Sequence, residues 1–187
     1  MDMNAGLPVL HGERVTLRPL TREDTPALRT LLADPTVVPW WGVYDTPKIE
    51  RDFLDPAWAY TYLIEVAGDV VGLIQFNEVP DPDYKHAAVD VTLAGGHQER
   101  GLGTEALRVL VSYLIDARGH HRITIDPAVD NTRAIHVYKK VGFRPVGVMR
   151  RYERGADGTW HDNLLMELLS EEFAGDPADP HEQHTAT

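Results

Sequence analysis

Two glycines one residue apart, directly ahead of a long periodic apolar segment, constrain this chain more than any other feature. They lie in His97-Gln98-Glu99-Arg100-Gly101-Leu102-Gly103-Thr104-Glu105-Ala106-Leu107. From Gly103 to Ala117 the polar residues Glu105, Arg108, Ser112 and Asp116 recur at helical spacing, so the segment predicts a helix with one wet stripe, ended by Gly119. Glycine lets backbone N–H groups approach a ligand closely, and a helix N-terminus adds unpaired donors and partial positive charge. Together they make an anion cradle.

At 187 residues the chain is sized for one domain with a full core. The net charge of −11 argues against nucleic acid and anionic membrane as partners and favours cationic ones. The N-terminal Met-Asp-Met-Asn-Ala-Gly has no basic or apolar region of a signal peptide, and no apolar run is long enough to span a bilayer. With no cysteine there is no disulfide framework, thiolate metal site or cysteine nucleophile. The nine histidines form no ligand motif, so no metal is expected. These readings predict a cytoplasmic protein, monomeric or homodimeric.

Alternating or β-rich runs predict strands at 15–20, 60–66, 70–76, 87–93, 122–125, 145–152 and 160–168. Helices are expected from Thr21 or Asp24 to Leu32, over 48–54, over 103–117, and from Asn131, as cap, to Val141. The order implies an α+β domain over 1–173, with helices on both faces of a central sheet of six to seven strands. The remainder, 174–187, is rich in Asp, Pro, Ala and His and reads as a disordered acidic tail.

Gly101, Gly103 and Ala106 also satisfy the dinucleotide fingerprint G-x-G-x-x-A, with Asp126 ending the next strand. That fingerprint starts at a strand end in an opening βαβ unit. Here Ala94–Arg100 intervene and a hairpin comes first, so a nicotinamide cofactor is set aside.

Gln98-x-x-Gly101-x-Gly103 instead resembles motif A of the GCN5-related N-acetyltransferases (GNAT). Asn131-x-x-Ala134-x-x-x-Tyr138-x-x-x-Gly142-Phe143 resembles their motif B. The resemblance spans roughly Val15 to Leu168. It implies a mostly antiparallel mixed sheet, splayed by a bulge at the acetyl-CoA site, and acetyl-CoA as cosubstrate. The backbone from Gln98 through Glu99, Arg100, Gly101, Leu102 and Gly103 to Thr104 would hold the pyrophosphate. Val91, Thr92 and Leu93 would pair with the pantetheine arm, assisted by Asn131 and Ala134.

Acetyl transfer from a thioester to an amine needs placement and proton handling. Without a cysteine, direct attack in a ternary complex is the economical route, with a backbone N–H near Leu93 stabilising the oxyanion. Tyr138 stands where the family's general acid stands; its plainer role is a core aromatic. Asp90 is an unusual residue for a strand, a candidate general base or cation partner against the plainer role of a solvent-facing carboxylate.

Trp40-Trp41-Gly42, Asp90, Ile125-Asp126-Pro127 and Ala134-Ile135-x-x-Tyr138-x-Lys140-x-Gly142-Phe143 resemble the aminoglycoside 6′-N-acetyltransferases. The likeness implies an aromatic wall at Trp40 and Trp41, and drug ammonium groups held by Asp90, Asp126 and, by position, Asp157 or Asp162. The Asp157–Asp162 segment is longer than in those enzymes. Another aminoglycoside amine, hydroxylysine in siderophore assembly and a protein N-terminus are alternative acceptors. A non-catalytic CoA-binding regulator would need neither Asp90 nor Tyr138.

Overall fold

The computed structural model describes residues 4, 6–55, 58–155 and 157–174. Among these, one sheet of eight strands runs in the order β1-β2-β3-β4-β5-β6-β8-β7. Its strands are β1 (Leu10–His11), β2 (Thr16–Pro19), β3 (Tyr60–Val66), β4 (Asp69–Val79), β5 (His86–Leu93), β6 (Arg122–Ile125), β7 (Arg144–Arg154) and β8 (Trp160–Leu169). Every neighbouring pair is antiparallel except β5 and β6.

The count exceeds the expected six to seven because β1 has only two residues, too few to carry an alternating pattern. Its pairing is closed by a tight turn in which the Gly12 N–H donates to the Val15 carbonyl at 2.8 Å. The tail expected to be disordered, 174–187, lies outside the described residues except for Ala174, whose carbonyl accepts from Arg108 Nη1 at 3.0 Å.

The helices are α1 (Thr25–Leu32), α2 (Val38–Trp41), α3 (Thr46–Ile49, continued by a wider turn over Glu50–Leu54), α4 (Leu102–Asp116) and α5 (Thr132–Val141). The segment holding Trp40 and Trp41 is thus a short helix, although no helix was expected there. Pro39 favours this, since its fixed φ suits a first helical turn.

Strand alternation sends side chains to two cores. Tyr62, Ile64, Val71, Ile74, Ala87 and Val89 face α4, where Leu107, Leu110 and Leu114 are fully buried. Leu63 and Leu73 face the other way, against Leu28, Leu32, Ile49 and Phe53. Truncating Leu110 to alanine would cost about 2–5 kcal/mol, as for other buried leucines. The helices α1 to α3 cover only the β2–β4 part of their face. Beyond it, Gln75, Ala88, Asp90 and Thr124 line an open cavity.

Candidate active site

Gly101 caps α4 in the left-handed conformation (φ +80°) and, as a glycine, offers no side-chain cap bond to the helix N-terminus. The first-turn N–H groups therefore keep their hydrogen-bonding capacity for a ligand. A side chain at 101 would be strained, and its Cβ would stand 3.3 Å from Arg14 Nη2. Glu105, an acid in the first turn, is committed elsewhere. It accepts from the backbone N–H of Arg14 (2.6 Å) and Val15 (3.1 Å) and pairs with Arg14 Nε (2.8 Å). Burial works against its charge, but these bonds win and hold its carboxyl below the usual range. Arg14 Nη1 also donates to the Arg100 carbonyl at 2.9 Å, which sets a cation beside the cradle.

The parallel strands β5 and β6 pair only at Ala87–Ile123 and Ala88–Thr124, then part. The resemblance implied a bulge in β5, yet β5 keeps its register with β4 as far as Leu93. The splay comes from diverging strands alone. Gly72 allows the close approach on the β4 side, since a Cβ there would collide with the Thr92 carbonyl. Toward the gap, the Val91 N–H donates to Asp90 Oδ1 at 2.9 Å. The Leu93 carbonyl accepts from Gln98 Nε2 at 2.7 Å, and the same amide reaches Thr36 Oγ1 at 3.1 Å.

A cavity of about 380 Å³ runs along this edge. Val91, Thr92, Leu93 and Gln98 line it, as do Glu99, Gly101, Gly103 and Thr104. From α5 come Asn131, Ala134 and Tyr138. Asn131 is at once a helix cap, accepting from the Ala134 N–H at 3.1 Å, and a wall residue. Arg100 and Leu102 do not line the cavity, and the Leu102 side chain is buried in the core. Arg133, His136 and Lys140 of α5 also line it, none of them named as a site residue from the sequence, and Arg133 and Lys140 add positive charge to the wall. An uncapped helix N-terminus, an open strand edge and a basic helix face suit a phosphate-bearing, extended group such as acetyl-CoA.

A second cavity, about 580 Å³, lies on the other side and shares Trp40, Trp41, Val91, Asn131 and Tyr138 with the first. Asp90 projects into it from β5, reachable by solvent through the mouth yet enclosed by protein. Dehydration first, then the charges of Asp126 and Glu153, raise its carboxyl to about 7, against the opposing pull of the Val91 N–H. Asp126, just past β6, is likewise raised by burial and by Glu153, with Asn163 opposing. Tyr138 is 5% exposed. Burial, then Asp90 and Asp126, push its phenol far above the ordinary value, so it stays protonated.

Trp40 and Trp41 both line the cavity, and Trp41 stacks on Phe53 with centroids 6.3 Å apart. Asp157 and Asp162 are a correction: neither lines it. Asp157 bonds Thr159 and His161 within its own turn, and Asp162 accepts from the Arg151 N–H at 2.7 Å. The β7–β8 hairpin instead delivers Glu153, with Met149, Tyr152 and Asn163. Trp58 is a further wall residue that no motif marked. Among the described residues no cluster of His, Asp or Glu is arranged to hold a metal.

The sequence matches the Acetyltransferase (GNAT) domain family across residues 14–144. The chain belongs to the GNAT acetyltransferases. Members of this family use acetyl-CoA. It is 29% identical to the aminoglycoside N(6')-acetyltransferase type 1 of Klebsiella pneumoniae, over 74% of this chain and 78% of that protein. It is 22% identical to the spermidine N(1)-acetyltransferase of Escherichia coli K12, over 93% and 95%. The structure of Mycobacterium smegmatis RimJ in complex with CoA-disulfide superposes with a TM-score of 0.77 at 26% identity, covering 92% of this GNAT chain and 91% of that one. No helix among the described residues is long and apolar enough to cross a membrane.

Proposed function

We propose that this chain transfers the acetyl group of acetyl-CoA to a primary amine of an aminoglycoside, at the 6′ position, by direct attack in a ternary complex. One observation carries the reading: the two cavities meet at Tyr138, Asn131 and Val91, with Asp90 on the acceptor side of that junction. When bound, acetyl-CoA supplies the activated acetyl group. Asp90 takes the proton that the amine must shed, a task suited to a carboxyl near neutrality. Tyr138 keeps its proton at the junction and gives it to the leaving sulfur. Burial removes competing water from around Tyr138. A regulator that only binds CoA has no use for this pair.

The Klebsiella relative acts on an aminoglycoside, and the resemblance at Asp90, Asp126 and Tyr138 supports the same acceptor class here. The Escherichia coli relative acts on spermidine, and an acidic cavity also fits that polycation, which makes a polyamine the second reading. The test is a CoA-release assay across aminoglycosides, polyamines, hydroxylysine and peptide N-termini. Two drugs differing only in an amine or a hydroxyl at the 6′ carbon decide the position. Equal acetylation of both overturns 6′ transfer, and activity confined to spermidine overturns the aminoglycoside reading.

A further inference from the structure

Glu153 stands on β7, where the register with β8 slips between Met149 and Glu153 and the carboxylate lines the acceptor cavity. Asn163 of β8 ties it to Asp126. The Asn163 Nδ2 donates to the Asp126 carbonyl at 2.7 Å, to Asp126 Oδ2 at 3.3 Å and to Glu153 Oε2 at 3.1 Å. One amide thus holds two carboxylates on the same wall.

Their charge is not compensated. Elsewhere arginines neutralise Asp24, Glu65, Glu78, Glu105 and Glu167. Among the described residues no ion pair reaches Asp90, Asp126 or Glu153. Arg122 also lines the cavity but is paired with Glu167 at 2.7 Å. Asn163 itself is only 2% exposed, and its buried Oδ1 accepts no bond. Two carboxylates tied by one amide therefore share one part of the wall, with Tyr152 and Trp58 also lining the cavity. Asp126 is half-buried and Glu153 exposed at the rim, and like charges held this close by one amide are unfavourable until a cation joins them. Aromatic rings nearby add attraction for an ammonium group.

We infer that Asp126 and Glu153, bridged by Asn163, form an ammonium site distinct from Asp90, and that the acceptor enters with at least two positively charged nitrogens. One nitrogen is docked at this site and stays protonated. The other lies at Asp90 and reacts. Glu153 is then a specificity-determining residue that selects dications over monocations. The inference rests on the reading of Asp90 as facing the reacting amine, and it is neutral between aminoglycoside and polyamine.

The test measures binding by calorimetry to the protein saturated with CoA, using neamine, spermidine and n-hexylamine as probes. Glu153→Gln keeps the shape and the bond from Asn163 but removes the charge. It is expected to weaken neamine or spermidine about tenfold, to leave n-hexylamine unchanged within twofold and to leave Tm nearly unchanged. Glu153→Asp, if it folds with the same Tm, should recover part of the loss. The site is overturned if wild type binds no dication more tightly than n-hexylamine, or if Glu153→Gln affects mono- and dications alike. Should aminoglycosides be acetylated while that selectivity is unaffected, the ammonium site fails and the proposed function stands. Should only polyamines be acetylated while the selectivity falls, the proposed function fails and the site stands.

Discussion

The two cavities that meet at Tyr138 are built on opposite principles. The donor side is mostly backbone: a helix start capped by a glycine, a strand edge left open where β5 and β6 part, and side-chain amides that hold loops in place. The acceptor side is mostly side chain: three carboxylates that no ion pair reaches among the described residues, walled by tryptophans from α2 and from the segment before β3. A backbone site binds what every GNAT member shares. A side-chain site can differ between members at little cost to the fold. The acceptor cavity carries electrostatic strain that the donor cavity does not, and substrate cations would relieve it.

The sharpest separation of the two regions is kinetic. Asp90→Asn and Tyr138→Phe should each lower kcat by about 10²–10⁴-fold, the usual worth of a placed acid or base. Acetyl-CoA should still raise Tm in both variants as it does in the wild type. Loss of that thermal shift would move either residue to the donor side.

Gly101→Val is expected to do the reverse. Forcing a β-branched residue into a left-handed conformation beside Arg14 costs about 1–2 kcal/mol or more, so acetyl-CoA affinity should fall about tenfold or further. Acceptor binding, followed by calorimetry, should stay within twofold. A matching loss on both sides would mean that the cavities are not separable.

Charge should matter more to the acceptor. Asp126→Asn is expected to raise KM for a polycation several-fold with kcat nearly unchanged. Added salt should reduce kcat/KM for the same substrate, because attraction beyond about one Debye length (~10 Å at 0.1 M) is screened. A salt-independent kcat/KM would make the net charge irrelevant to capture.

The smallest effects are those of pH. With Asp90 near 7, kcat/KM should fall on the acid side of about pH 7, and Glu153→Gln should move that limb to lower pH by removing a neighbouring charge. A limb that does not move would uncouple the two carboxylates. The same raised value affects stability. The native state binds a proton that the unfolded chain has already lost between about pH 4 and pH 7, so stability declines as pH rises through that window. Asp90→Asn removes the penalty. Its Tm should exceed that of the wild type at pH 8, by roughly 2 °C given the carboxylate's access to solvent, and match it near pH 4.

The donor side was legible because its geometry demands particular residues. Only glycine suits Gly101, only a small set suits the Asn131 cap, and their spacing survives in one dimension. Asp90 was legible for a related reason: a carboxylate in a strand that otherwise alternates invites a cavity. Glu153 and Asn163 left no comparable trace. The β7–β8 register shifts between Met149 and Glu153, so alternation does not assign their faces, and the Asp126 that joins them is remote in sequence. Asp157 and Asp162 were expected at the drug by position, but Asp157 is held by bonds within its own turn and Asp162 by the Arg151 N–H across the hairpin. The missing β1 and the helical α2 have simpler causes, since elements of two and four residues carry no readable period.

The outermost strand, β7, is exposed along almost its whole length and contributes little to either core, although Met149, Tyr152 and Glu153 line the acceptor cavity. Few buried contacts hold its sequence fixed, so mutations there are mostly invisible to stability while remaining visible to the substrate. The β7 strand is in effect an interchangeable cartridge. A lineage can trade one amine for another by rewriting this rim while selection on the glycine cradle and the sheet beneath it continues unchanged.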